Sequence, residues 1–285
     1  MVKQPIEPGV KTGFFVSGVT MTLAILFAVV LQKRWGMAGV VLTQLNFAAL
    51  SLLTAHFFDW DFKVVFPCKP PRLAQLLGVL ILWLGSNLVV SAVTQILVRL
   101  FPAGMAFTAE RLSEVIGSVS LPKAIVIIGV LPAVCEEIFH RGLLLYSFRF
   151  KRQWHLVVVL AVIFGIFHVN VYRFLPTAVL GAVLSYIMVK GRNLVLPIFF
   201  HLFNNVLGVL LIFADPSYST VGEIPSTSLS QAFYWAALAP LFLLLGARLL
   251  VSKEERGELT NRALWLTGLA MLVLYVTANI LRFAQ

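Results

Sequence analysis

The sequence predicts an all-α fold, a polytopic bundle of about eight to nine transmembrane helices in an integral membrane protein. Of 285 residues, 60% are apolar and only 12% are charged, whereas a soluble domain carries roughly 25% charged residues. The mean hydropathy is +0.94. These values exclude a soluble enzyme, a nucleic-acid-binding protein and a disordered chain. The two cysteines, Cys68 and Cys135, form no disulfide framework.

Charge-free runs locate the predicted spans. A helix needs about 20 apolar residues to cross a hydrocarbon core of about 30 Å. Eight charge-free runs, given at the end of this paragraph, are long enough. Segment 121–148 is also long enough but contains charged side chains, and we count it as a ninth span. The alternative is eight spans and an amphipathic interfacial helix at 101–120. The charge-free runs are 12–32, 35–58, 73–98, 153–172, 174–189, 193–214, 224–247 and 263–281.

The loop charges predict the orientation. The loop at 215–223 contains no Lys or Arg, whereas the next loop contains Arg248, Lys253, Arg256 and Arg262. Basic residues collect in cytoplasmic loops, so the first of these loops is predicted outside and the second inside. Alternation from there places the N-terminus in the cytoplasm and the C-terminus outside. The net charge of +10 is then explained mainly by cytoplasmic loops.

Ionisable side chains within spans mark a functional site, because they are costly in a membrane. Here they are concentrated in three segments in the middle of the chain. These segments read LPAVCEEIFHRG at 131–142, FGIFH at 164–168 and HLFNN at 201–205.

The first segment contains two acids with different interpretations. Glu137 and Arg141 are four residues apart and can form a buried ion pair on one helix face, as can Glu136 and His140. A structural ion pair needs only one acid, so Glu136 is left over. A buried carboxyl retains a proton more readily than one in water, which suits a general base. Pro132, one turn earlier, is expected to loosen the helix.

The other two segments supply His168, His201 and Asn205. Each of these side chains alone could be a structural hydrogen-bonding group between helices. At 1.5 Å per residue, however, Glu136, His168 and His201 each lie roughly 13 to 20 Å from the cytoplasmic end of their span. Helices of opposite direction therefore place these groups at a similar depth, which predicts one shared site.

The ordered motifs Glu-Glu-x-x-x-Arg, Phe-x-x-x-His and His-x-x-x-Asn resemble those of the CPBP family of intramembrane proteases. This family is also called the CAAX protease and bacteriocin-processing, or Abi, family. The resemblance covers about 70 residues, from Glu136 to Asn205. It implies an intramembrane endopeptidase in which glutamate activates water and His201 with Asn205 forms the oxyanion hole. The implied catalytic residues are Glu136, His168, His201 and Asn205, with Glu137 and Arg141 in support.

The resemblance implies a membrane-associated peptide or protein as substrate and the lipid bilayer as partner, with no nucleic acid. We expect one integral-membrane domain, 1–285, with its catalytic core at about 121–214, in the plasma membrane of a prokaryote. We favour no cofactor, because a His-Glu-x-x-His motif is absent and an amide is a poor zinc ligand. The metal alternative would use Glu136, His168 and His201 as zinc ligands.

Other interpretations stay open from the sequence alone. Asn204 also follows His201 closely enough to share its face, and His140 rivals His168 as the partner of Glu136. A cysteine protease built on Cys135 is disfavoured, because Cys135 faces about 100° away from Glu136 on the helix. The rival functions are a non-catalytic membrane regulator or scaffold of the same family and a proton-coupled transporter.

Overall fold

The structure is a bundle of helices, and the residues described contain no β-strand. It is a computed structural model that describes residues 6–148, 150, 152–214, 228–252, 256 and 261–283. The predicted outer loop at 215–223, and Lys253 of the next loop, lie outside these residues. The helices are α1 (Val10–Phe57), α2 (Phe62–Val65), α3 (Leu73–Leu100), α4 (Pro102–Gly117), α5 (Leu121–Ser147), α6 (Gln153–Phe167), α7 (Val171–Gly191), α8 (Val195–Ala214), α9 (Leu229–Leu250) and α10 (Asn261–Phe283).

Helix α1 is a helical hairpin. Its 48 residues would extend about 72 Å if straight, more than twice a hydrocarbon core. Gly36 has φ 51° and ψ −123°, a backbone conformation that side chains rarely adopt, and the chain reverses there. Gln32 Nε2 consequently lies 3.4 Å from Thr43 Oγ1. The two limbs correspond to the first two predicted spans.

Helix α5, which carries both central acids, is irregular. Pro132 has no N–H to donate to the carbonyl oxygen of Ile128, one turn earlier. A π-helical stretch surrounds that carbonyl, and a second one follows the acids. Such stretches are often found at functional sites. The π-helical stretches are Ile125–Val130 and Ile138–Leu144, with the α-helical turn Leu131–Glu137 between them.

Two segments near the site differ from continuous spans. Helix α4 meets α5 at 114°, so the 101–120 segment does not continue the direction of α5, and its interfacial position stays a prediction. The predicted span 153–172 is wrong at its end, because α6 stops at Phe167. Val169 then adopts φ 48°, a left-handed conformation that ends a helix, and α7 begins at Val171.

The apolar surface is that of a membrane protein. Among the described residues, six helices are long and apolar enough to cross a membrane, or seven if the bent pair α4 and α5 forms one span. Large apolar side chains face outward, including Phe15 at 63% and Trp265 at 78% exposed. This surface has no counterpart in a soluble protein. The protein is therefore a multi-pass helical membrane protein, and the finer count of eight to nine spans stays a prediction.

The segments predicted to be cytoplasmic meet at one end of the bundle. Lys63, Lys69, Arg72, Lys190 and Arg192 belong to them. These loops therefore lie together, and the membrane face to which this end corresponds stays a prediction. The joining hydrogen bonds are Trp60 Nε1 to Ile6 O at 2.6 Å, Gly9 N to Ser147 O at 3.0 Å, Leu194 N to Pro67 O at 2.7 Å and Lys190 Nζ to Gln153 Oε1 at 3.2 Å.

Candidate active site

Polar residues from four helical segments converge on one cavity. The cavity has a volume of about 310 Å³, at the small end of the range for ligand pockets. Leu112 and Ile116 of α4 form part of its apolar wall. Its polar lining consists of Glu136 from α5, His168 at the end of α6, Arg173 from α7, and His201, Asn204 and Asn205 from α8. The four predicted catalytic residues therefore share this cavity.

Glu136 is held by a residue that the sequence analysis did not select. Gln44, in the second limb of α1, donates from Nε2 to Glu136 Oε1 over 3.1 Å. Both side chains are buried. Glu136 Oε2 has no hydrogen bond to any residue that the structure describes. One carboxylate oxygen is thus fixed and the other can accept a proton.

Glu137 contacts both Arg141 and His201, whereas the sequence spacing predicted only the pair with Arg141. Its Oε1 accepts a hydrogen bond from Arg141 Nη1 at 2.9 Å and lies 2.8 Å from His201 Nδ1. Arg141 Nη2 also donates to the Gly181 carbonyl at 3.1 Å, and its guanidinium lies 4.4 Å from the Phe164 ring centre. Glu137 and Arg141 are fully buried. This network joins α5, α7 and α8 beneath the cavity.

The hydrogen bond of His168 determines which ring nitrogen is free. His168 Nδ1 lies 2.9 Å from the Phe164 carbonyl oxygen. A carbonyl only accepts, so Nδ1 carries the hydrogen and donates. In the neutral ring Nε2 is then an acceptor. His168 lines the cavity with this acceptor available, although it makes no hydrogen bond to Glu136 within the described part of the chain.

His201 and Asn205 occupy adjacent turns of α8. His201 Nδ1 donates to the Glu137 carboxylate, which leaves Nε2 for the cavity. Asn205 Nδ2 donates to Ile128 O over 3.2 Å, the carbonyl that Pro132 cannot satisfy. Helix irregularity in α5 thereby anchors the Asn205 amide. Its second N–H remains for another acceptor.

Asn204 and His140, the two rival residues, have other partners. Asn204 also lines the cavity, but its Oδ1 accepts from Trp83 Nε1 at 3.1 Å and its Nδ2 donates to Asn205 Oδ1 at 3.3 Å. His140 does not line the cavity and is fully buried. The alternative in which His140 partners the Glu136 side chain is not observed among the described residues. His140 Nδ1 instead lies 2.9 Å from the Glu136 main-chain oxygen, the acceptor four residues earlier.

Arg173 is the second residue that the sequence analysis did not select. Along the chain it stands between the charge-free runs 153–172 and 174–189. It lies in the first turn of α7 and lines both the main cavity and an adjoining chamber of about 60 Å³. A charged residue five positions after His168 was the available signal. For Gln44 the signal was an amide within an apolar span.

The zinc alternative requires Glu136, His168 and His201 to surround one ion. Among the described residues, no group of three or more His, Cys, Asp and Glu side chains is arranged to hold a metal. His201 Nδ1 and His168 Nδ1 are both engaged in hydrogen bonds. These hydrogen bonds leave both Nε2 atoms free, as in metal-bound histidines, so the absence of a cofactor stays a prediction.

A comparison with protein families gives the affiliation of this region. Residues 118–207 match the family model described as type II CAAX prenyl endopeptidase Rce1-like. The chain carries an Rce1-like CAAX protease domain. This domain includes Glu136, His168, His201 and Asn205, and it supports intramembrane endopeptidase activity in general.

The Rce1-like domain does not extend over the whole site. Gln44 lies outside its matched residues, in the helical hairpin that packs against α5. Arg173 lies within them. Neither the curated proteins nor the solved structures compared with the chain include a match. The helices outside 118–207 therefore add no information on substrate.

Proposed function

We propose that the protein hydrolyses a peptide bond of a membrane-associated peptide or protein by glutamate-activated water. The observation that supports this proposal is the convergence of Glu136, His168, His201 and Asn205 on one cavity. These side chains provide a proton acceptor and candidate hydrogen-bond donors on facing walls.

The first step is activation of water by Glu136. Glu136 Oε2 removes a proton from water while Gln44 holds Oε1. His168 Nε2 accepts the hydrogen bond from the second water hydrogen and orients the oxygen. The hydroxide adds to the carbonyl carbon of the scissile bond, and the carbonyl oxygen becomes negative. No acyl-enzyme forms.

The negative oxygen is stabilised by His201 and Asn205. Because His201 Nδ1 already donates to Glu137, Nε2 can donate only when the ring is doubly protonated. The Glu137 carboxylate accepts the Nδ1 hydrogen bond and fixes the orientation of the ring. The free Asn205 N–H is the second donor. Holding His201 is the role that we propose for Glu137, the second of the two adjacent acids.

Breakdown of the tetrahedral intermediate returns the proton. Glu136, now protonated, gives its proton to the nitrogen of the leaving group, and the C–N bond breaks. The products are a carboxylic acid and an amine, and Glu136 regains its charge. Water is the only co-reactant.

Replacing Asn205 with alanine is expected to lower kcat by about 100- to 1,000-fold with little change in KM, because an oxyanion donor acts mainly in the transition state. A protein that accumulates uncleaved in membranes carrying Glu136→Ala serves as the substrate. The measurement is the rate at which Asn205→Ala cleaves that substrate. Asn279→Ala, in α10, is the matched control, since Asn279 bonds Tyr234 away from the cavity.

Elemental analysis of active, detergent-purified enzyme distinguishes the metal-free reaction from a zinc reaction. We expect no stoichiometric metal and no reversible silencing by a strong chelator. About one zinc per chain together with a nearly normal Asn205→Ala rate would contradict the metal-free reaction.

Replacing Gln44 with alanine is expected to lower kcat by roughly 10-fold, because Glu136 loses the bond that orients it. Gln44→Glu should lower it further, since a second acid would face Glu136. The measurement is kcat against pH, because a purely structural residue would not change the pH profile. Gln32→Ala, in the first limb of the same hairpin, is the control and should leave the profile unaltered.

A further inference from the structure

A groove lies behind the catalytic helix, on the opposite face of α5 from the active-site cavity. Val134 and Ile138 line this groove, whereas Pro132 and Glu136 line the active-site cavity. Positions two residues apart on a helix point in nearly opposite directions, and no lining residue is common to the two spaces. We call this space the rear groove; residues of α1, of the segment 62–69, of α5 and of the start of α8 form it.

The rear groove is large, apolar and open on one side. Its volume is about 720 Å³, within the range of roughly 300 to 1,000 Å³ for ligand sites. Leu52 of α1, Val134 and Ile138 of α5 and Ile198 of α8 contribute its apolar walls. Leu52 is 42% exposed, so the groove is not closed there. Apolar cavities stay dry and accept apolar ligands, and in a bilayer the hydrocarbon at hand is a lipid chain.

Basic side chains lie on the rim of the rear groove. Lys63 and Lys69 line it, and no acidic residue does so in the part of the chain that the structure describes. Their ammonium groups form no hydrogen bond or ion pair with any described residue. Phe62 and Val64, on either side of Lys63, are 42% and 55% exposed. Exposed apolar side chains beside lysines are typical of the membrane interface, where lipid headgroups lie.

The main chain of both lysines is fixed. Lys69 N donates to Asn193 Oδ1 over 3.1 Å, and Asn193 Nδ2 donates to Lys69 O over 2.8 Å. Lys63 N donates to Asp61 Oδ1 over 2.8 Å. The rim of the groove is therefore formed before any ligand arrives, which lowers the cost of binding.

We propose that the rear groove binds one anionic phospholipid of the bilayer, with an acyl chain between α1, α5 and α8 and the phosphate on Lys63 and Lys69. The two lysines favour a lipid of net negative charge over a zwitterionic one, because they repel a choline cation. The lipid contacts both α1 and α5, and the packing of these helices brings Gln44 to Glu136.

The occupant is a bilayer lipid and not the tail of a substrate, because α5 lies between the rear groove and the cavity that holds Glu136. A hydrocarbon chain attached to a peptide in that cavity would have to pass around the helix to reach the groove. The proposal goes beyond the peptidase function and does not rest on it.

The test uses Cys68, an exposed free cysteine that lines the rear groove. The full chain in a neutral detergent is titrated with phosphatidylglycerol or phosphatidylcholine, and the rate of Cys68 alkylation by N-ethylmaleimide is measured. Cys135 is buried, and peptide mapping assigns the label. We expect phosphatidylglycerol to slow the alkylation at about 10-fold lower concentration than phosphatidylcholine. Native mass spectrometry should show one retained phosphatidylglycerol per chain.

Three variants separate the two parts of the site. Lys63→Gln with Lys69→Gln should weaken the protection by phosphatidylglycerol roughly 30-fold, since each basic residue contributes to headgroup binding. Lys190→Gln with Arg192→Gln is the matched control, because it removes the same charge from the same end of the bundle outside the groove; it should retain the protection. Leu52→Trp should fill the groove and abolish the protection while both lysines remain.

Contrary outcomes are distinct. Equal protection by the two lipids, or unchanged protection in Lys63→Gln with Lys69→Gln, overturns the headgroup site. Protection by inorganic phosphate alone would mean a simple anion site, and protection by farnesol as strong as that by phosphatidylglycerol would mean an isoprenoid groove; either result overturns the phospholipid assignment. None of these measurements involves peptide cleavage, so the failure of this proposal leaves the peptidase function untouched.

Discussion

Glu136→Gln is expected to reduce peptide cleavage by at least about 100-fold while the protein remains folded in the membrane. The amide keeps the shape of the side chain but cannot accept a proton from water, and general-base catalysis contributes roughly 100- to 10,000-fold. The Gln44 amide can still donate to the new side-chain oxygen, so local packing should persist. The measurement is turnover per folded molecule in detergent.

Cys135 provides the matched control, because it precedes Glu136 on the same turn and does not line the cavity. Cys135→Ala should retain most activity, which also tests the cysteine protease interpretation. Near-normal turnover in Glu136→Gln would remove the general-base assignment. Loss of activity in Cys135→Ala with an intact fold would revive the cysteine alternative.

Breaking the Glu137–Arg141 pair is expected to destabilise the protein as well as inactivate it. Both side chains are fully buried and 2.9 Å apart. Removing one partner leaves the other charge buried without compensation, which costs about 3 to 5 kcal/mol. Arg141→Ala and Glu137→Gln should therefore lower the free energy of unfolding by about that amount. Thermal unfolding in detergent and the protein level in membranes measure the effect.

The exposed pair Arg111–Glu114 is the control for this substitution. Its side chains are 65% and 55% exposed, and surface pairs contribute about 1 kcal/mol or less. Glu114→Gln should consequently leave the unfolding temperature almost unchanged. If Arg141→Ala is no less stable than Glu114→Gln, the network does not hold α5, α7 and α8 together.

Glu137→Gln has a second expected effect that stability alone does not explain. An amide accepts the Nδ1 hydrogen bond of His201 more weakly than a carboxylate does, so the ring is oriented less firmly and the remaining folded enzyme should also turn over more slowly. Comparison of the specific activity of Glu137→Gln with that of Arg141→Ala, per folded molecule, separates the two effects.

The sequence by itself determined the membrane class and the position of most helices, and its motifs indicated the CAAX protease resemblance of the central domain. Apolar composition and charge-free runs are local properties, so they predict helices without knowledge of their neighbours. The motifs at Glu136, His168 and His201 are likewise fixed by spacing along the chain. The Glu137–Arg141 pair follows from the four-residue spacing within one helix.

The tertiary structure decided which groups those residues meet. Gln44 is 92 positions from Glu136 along the chain, and only the reversal at Gly36 and the packing of α1 on α5 bring them together. Because α6 ends at Phe167 and α7 begins at Val171, Arg173 lies in the first turn of α7, on the cavity wall. His140 bonds a main-chain oxygen instead of a carboxylate, because the carbonyl oxygen four residues earlier lies within reach of its ring. Contacts between distant segments depend on packing, which no local pattern in the sequence encodes.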